Sequence, residues 1–197
     1  ENYPNVGGYA TQTDTDTVER FIGEFYRILE HRSKKFAENR ISRVDEYLEW
    51  KDENPDATDV YGHMVLAVDD LPGLMNTDED MYRTKLVKLC AEGPRYGLHM
   101  VGTMPDPLTL KYKYQDLFTQ NILLRVDDTG KLGSKIHSDV KAKLKNVSLT
   151  QPGRGIEPMS QLPFLVMVPR LSKIEPKVVG GPDALDEYDF GEDQNPY

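Results

Sequence analysis

Residues Val18, Phe21, Ile22, Phe25, Ile28 and Leu29 recur at intervals of three and four, which lays them along one face of a helix. Asp16 is placed to cap its start, with Glu19 three positions on to reach back, so the pattern predicts a long helix over 16–38. A shorter helix is predicted over 44–50; Asn54-Pro55-Asp56 then breaks the chain and leads into a turn at Asp59-Val60-Tyr61-Gly62. Residues 63–68 read His-Met-Val-Leu-Ala-Val, a continuous apolar run ended by two carboxylates. Such a run suits a central strand buried on both faces of a parallel sheet. A helix follows over 80–92, with Tyr82, Leu86 and Leu89 on one face and Gly93-Pro94 as its stop. A second buried strand is expected over 98–103 and a third over 122–126, after the segment 111–118. Strand alternating with helix is the pattern of a parallel α/β sheet. Residues 131–146 are basic and weakly periodic, 151–155 form a turn, and 164–168 are one more apolar strand that closes the domain near Arg170.

Composition narrows the class. The 197 residues carry 24 Lys+Arg against 33 Asp+Glu, a net charge of -9, so the overall surface is unsuited to non-specific binding of nucleic acid; a local basic patch stays open. The longest apolar stretch runs from Met64 to Val68, too short for a membrane span, and no amino-terminal signal peptide is visible, so the sequence reads as soluble. Cys90 is the single cysteine; it excludes an internal disulfide and a multi-cysteine metal cluster, and the cytoplasm is the default compartment. From Glu175 onward Asp183, Asp186, Glu187, Asp189, Glu192 and Asp193 face one Lys177, a linker composition. The expected division is a domain over 1–171 and an acidic linker or tail over 172–197.

The strongest chemical signal is Asp69-Asp70 at the carboxyl end of the 63–68 strand, where open α/β sheets bind ligands. In nucleotidases with a phosphate-binding loop such an Asp holds Mg2+, and a following acid polarises the attacking water. A plain strand-end turn is the competing reading, and apolar strands ending in acid are common. Thr103 ends the neighbouring strand beside these carboxylates, in a position suited to sensing a γ-phosphate or simply opening the turn Met104-Pro105-Asp106-Pro107. Arg125 lies within an apolar strand and must reach a carboxylate, a phosphate or solvent; a structural ion pair is favoured over a trans-acting finger. Gly153-Arg154-Gly155 reads as a turn more readily than as a phosphate cradle. His31, His63, His99 and His137 lack metal-ligand spacing and read as structural or solvated, Cys90 as a helix core residue, and Trp50 as packing a helix end. No glycine-rich stretch is followed by Lys and Ser/Thr, the combination that neutralises β- and γ-phosphates, so the chain alone is expected neither to hold ATP tightly nor to hydrolyse it.

One ordered set of segments is recognisable: Tyr3-Pro4-Asn5-Val6-Gly7-Gly8, the helix with Glu30-His31-Arg32, the run from Tyr61 to Asp70, Tyr96-Gly97-Leu98-His99, Leu124-Arg125-Val126 and Gln151-Pro152-Gly153-Arg154-Gly155. Together they resemble an FtsK/SpoIIIE-type ATPase domain, and more narrowly the second or third ATPase module of EccC, the motor of type VII secretion. The resemblance covers 3–170. It implies a partial RecA-like P-loop NTPase fold, α/β with a mostly parallel sheet flanked by helices, in which this chain is the carboxyl part of one module. The phosphate-binding half of that module would precede Tyr3. It implies ATP and Mg2+ as cofactors of the complete module, Asp69 as the magnesium ligand and Asp70 as the adjacent catalytic acid. Thr103 falls at the sensor position, and Arg125 joins it as a candidate nucleotide contact. Neighbouring ATPase modules and WXG-type secreted proteins are the implied partners, on the cytoplasmic side of a membrane complex.

The same resemblance carries departures. Asp70 stands where active translocases carry Glu, Met104 where the DNA translocases carry Gln, and Asn121 at a place often basic. A regulatory or degenerate ATPase module is therefore expected. A DNA-translocase module would need basic DNA-facing loops and is disfavoured by the charge; a non-catalytic interaction domain, in which Asp69 and Asp70 merely end a strand, is the third reading.

Overall fold

Thr15–Glu38 forms helix α1 in the computed structural model, which describes residues 6–57, 61–76, 80–126, 128–147 and 153–166. Its cap is Asp14, whose Oδ1 accepts from the Thr17 amide at 3.2 Å, and not Asp16, which sits inside the first turn. An acid is favourable at either place, as a cap or against the positive end of the helix dipole. The predicted stripe is buried or half-buried and extends to Arg32 and Phe36. Helix α2 is Val44–Glu53, and its Tyr47 stacks on Phe36 at 5.2 Å between ring centroids, with Trp50 5.8 Å from Tyr47. Tyr61 closes this aromatic cluster.

Strands β1 (Met64–Val68) and β2 (Leu98–Gly102) pair in parallel, with Met64 opposite Leu98 and Val68 opposite Gly102. Between them in sequence lie α3 (Leu71–Met75) and α4 (Asp80–Glu92). Met64, Leu66, Val68, Leu98 and Met100 pack on apolar residues of α1 and α4, among them Ile22, Leu29, Leu86 and Leu89. At least 20 cal/mol per Å² of apolar surface withdrawn there drives the layering. The opposite face is bare among the described residues: Val65 and Val101 are each 57% exposed. The expectation of strands buried on both faces is thus corrected, since a continuous apolar run does not tell how many layers cover it.

The rest of the sheet also departs from expectation. Beyond α5 (Tyr112–Gln115), the short β3 (Leu123–Leu124) does not join β2; it pairs antiparallel with β4 (Arg154–Ile156), which pairs antiparallel with β5 (Pro163–Leu165). Helix α6 (Ser138–Lys145) packs Val140 and Leu144 against Leu123 and Ile156 of this second sheet. The described residues therefore form a mixed helix-and-strand structure with a two-stranded parallel and a three-stranded antiparallel sheet. Apolar runs of two to five residues specify burial, whereas strand direction is decided by partners distant in sequence. Tyr3-Pro4-Asn5, Asp59-Val60, Gln151-Pro152, the strand end at 167–168, Arg170, the side chain of Tyr82 and the acidic segment 172–197 lie outside the described residues.

Candidate functional site

Parallel pairing of β1 and β2 brings their carboxyl ends side by side, and with them the first residues after each strand. The Thr103 hydroxyl donates to Oδ1 of Asp69 and accepts from the Asp70 amide at 3.2 Å. The backbone of Thr103 is tied in as well, its amide donating to the Val68 carbonyl at 2.9 Å and its carbonyl accepting from the Leu71 amide at 2.8 Å. Asp70 takes a left-handed conformation, φ 60° and ψ 60°, and caps α3 by accepting from the Gly73 amide at 3.4 Å. That conformation is uncommon for a residue with a Cβ, and Asp tolerates it better than most. Helix α3 is not among the elements expected from the hydrophobic pattern, although Asp70 followed by Pro72 in the first turn is a start signal.

Asp69 and Asp70 are exposed on the rim of a cleft of about 610 Å³ between the segment around Ala10–Thr15, the start of α1, β1 and α3. Val18, Phe21, Ile22, Leu66 and Leu74 give it an apolar floor. Among the described residues no Lys, Arg or His lines it. The two carboxylates are hard oxygen donors of the kind that suits Mg2+. The triphosphate of a nucleotide meets no cation among the lining residues, so these residues fit the metal and not the phosphates.

Arg125 is elsewhere. Its Nη1 donates to the carbonyls of Leu144 at 2.8 Å and Lys145 at 2.7 Å, satisfying the last turn of α6. The expected ion pair is replaced by carbonyl capping, which also suits a cation at a helix carboxyl end. Arg125 does not line the Asp69 cleft. Met104 is half-buried against the apolar cluster that contains Leu71 and Met75, and Asn121 is exposed. Gly153-Arg154-Gly155 enters β4, where the Gly153 carbonyl accepts from Val166 at 2.8 Å and Gly155 lies opposite both Leu124 and Phe164. Cys90 faces Met100, Sγ to Sδ 3.6 Å, and burial pushes its thiol up to about 11. It is half-buried against Met100, with little thiolate character.

Arg32 has a structural role that sequence reasoning missed. It is 2% exposed, and its Nη1 donates to the carbonyls of Gly62 and Tyr96, both at 2.7 Å. These carbonyls each stand two residues before one of the two parallel strands, so one guanidinium fixes both approaches. The signal was an arginine on the apolar stripe of α1, where a charge is costly unless satisfied.

No family model matches the chain. Over 176 residues it is 26% identical to EccCb1 of the ESX-1 secretion system of Mycobacterium tuberculosis (strain ATCC 25618 / H37Rv), covering 88% of this chain and 28% of that protein. Over 169 residues it is 30% identical to EccC of Thermomonospora curvata, covering 85% of this chain and 12% of that protein. The solved Thermomonospora curvata EccC, ATPases 2 and 3 in complex with a signal sequence peptide, matches with a TM-score of 0.73 and 27% identity over 93% of this chain and 30% of its own. This chain is a homologue of the EccC secretion proteins. The fold alone is shared with EssC (ATPases 2 and 3) from Geobacillus thermodenitrificans, TM-score 0.58 at 17% identity over 82% of this chain and 29% of its own. The chain thus spans less than a third of its EccC relatives.

Proposed function

We propose that the chain is part of an ATPase module of a type VII secretion motor, contributing the acidic rim of a RecA-like nucleotide site. The observation that carries this reading is the Thr103–Asp69 hydrogen bond at the carboxyl ends of two adjacent parallel strands, beside a cleft. The relation to EccC ATPases 2 and 3 supports the module assignment. In this reading Asp69 holds Mg2+, Thr103 orients the Asp69 carboxylate, and Asp70 is the neighbouring acid. Nucleotide binding is completed by phosphate-binding groups that the cleft lining does not contain. Asp70, shorter by one methylene than Glu, holds its carboxylate in the α3 cap, which supports a regulatory or weakly catalytic role over rapid hydrolysis. Arg125 is assigned to α6 and not to the nucleotide. Neighbouring modules, WXG-type secreted proteins and a place on the cytoplasmic side of a membrane complex belong to the same proposal.

Titration of Mg2+ against this chain and its Asp69→Asn variant tests the metal assignment. Weak binding that disappears in the variant is expected; binding that survives Asp69→Asn overturns it. Titrating ATP with Mg2+ is expected to show no tight binding by this chain. Tight ATP binding would overturn the phosphate part of the reading.

A further inference from the structure

Away from the cleft, the described residues hold no cluster of three or more His, Cys, Asp or Glu that could hold a metal ion. They do hold one convergent pair. His63, the residue before β1, and His99, the second residue of β2, approach each other Nδ1 to Nε2 at 2.8 Å. Their ring centroids are 5.1 Å apart and the planes are inclined by 30°. Neither ring has another hydrogen-bond partner among the described residues. Sequence spacing could not reveal the pair, because the two residues are 36 positions apart and meet only through strand pairing.

Two imidazole nitrogens at this distance share one proton: one ring donates and the other offers its lone pair. Moving that proton to the far nitrogen of its own ring is a tautomer change. It leaves two lone pairs facing each other and loses no proton from the neutral pair. Burial, and then the neighbouring His63, hold His99 below the ordinary histidine range, which favours the neutral, ligating form.

We propose that His63 Nδ1 and His99 Nε2 form a two-histidine site for a late first-row divalent ion such as Zn2+, with the remaining positions filled by water. Metal–nitrogen distances of about 2.0–2.1 Å at a tetrahedral angle require the nitrogens to stand about 3.3 Å apart, so the rings, which now meet head to head, must part by about 0.5 Å and each turn by roughly 35°. His63 is exposed and His99 half-buried on the uncovered face of the β1–β2 pair, where ring rotation meets no packed layer among the described residues. The backbone beneath them is fixed. Arg32 ties down Gly62, next to His63, together with Tyr96, and the Met64 amide donates to the Gly97 carbonyl at 2.8 Å. Such preorganisation lowers the ordering cost of binding. Imidazole ligands select Zn2+, Ni2+ or Cu2+ over Mg2+, whereas the carboxylates at the other end of β1 select the reverse. One strand would therefore carry two sites of opposite metal preference.

The test is a titration of zinc chloride into the whole chain, followed by histidine ring signals in NMR and by thermal unfolding. Saturable changes confined to the His63 and His99 signals are expected, with a rise in the unfolding midpoint. His63→Ala and His99→Ala should each abolish both effects, His137→Ala should preserve them, and Mg2+ should not reproduce them. His63 is exposed, so its variant is expected to keep the native circular dichroism spectrum. Zinc-insensitive His63 and His99 signals would overturn the proposal, as would a midpoint shift that survives both substitutions.

Discussion

Thr103, at the end of β2, donates its hydroxyl proton to Oδ1 of Asp69, at the end of β1. The bond links residues 34 positions apart and sets the direction of the carboxylate proposed to hold Mg2+. Thr103→Val keeps the shape and removes the hydroxyl, with loss of two exposed hydrogen bonds and an expected cost of about 0.5–1.5 kcal/mol in urea unfolding. Thr103→Ser should restore stability. Equal midpoints for Thr103→Val and the parent chain would show that the hydroxyl does not brace the strand end.

Arg32 is expected to be among the costliest single sites. Arg32→Met strands the carbonyls of Gly62 and Tyr96, and a loss of about 2–4 kcal/mol is predicted from removing hydrogen bonds made by a buried charge. Arg32→Lys should recover only part, because the guanidinium also lies 5.3 Å from the centroid of the Tyr61 ring and an ammonium lacks that planar contact. Chemical denaturation of the two variants checks the order.

Gly97 sits at φ 76°, where a side chain is strained. Its added Cβ would stand 3.0 Å from Val44 Cγ2 and 3.1 Å from Arg32 Nη1. Gly97→Ala should cost roughly 1–2 kcal/mol from the backbone alone, and more from crowding the Arg32 contact. A thermal midpoint equal to that of the parent chain would contradict this.

Arg125→Gln should loosen α6 without disturbing the parallel sheet. Removing the donor to the Leu144 and Lys145 carbonyls frays the last turn of the helix, so amide exchange should quicken in α6 and stay unchanged in α1. Equal protection of α6 in both proteins would remove the capping role.

A pH dependence follows from His99. Its folded-state affinity for protons is lowered, chiefly by burial and then by His63, so the unfolded chain binds more protons in the window that opens near pH 6.5 and extends downward. Stability should therefore be fully present above that window and fall as the pH drops through it. His99→Asn should flatten this part of the profile in urea unfolding followed between pH 8 and pH 5. A slope unchanged by the substitution would assign the effect to other groups.

The sequence alone determined the elements whose information is local. The α1 stripe from Val18 to Leu29 and the helix over 80–92 followed from the 3.6-residue period, and the carboxylates at the end of the Met64–Val68 run marked a strand end. The kinship with EccC was also legible, because it rests on the order of short segments. Tertiary structure decided the rest. Only strand pairing could bring Thr103 to Asp69 and His99 to His63, and only the packing of α6 could give Arg125 carbonyl partners. Short apolar strands encode that they are buried, but the direction and identity of their neighbours depend on contacts between residues far apart in the chain. That is why β3 lies antiparallel to β4 and one face of β1 and β2 stays uncovered among the described residues.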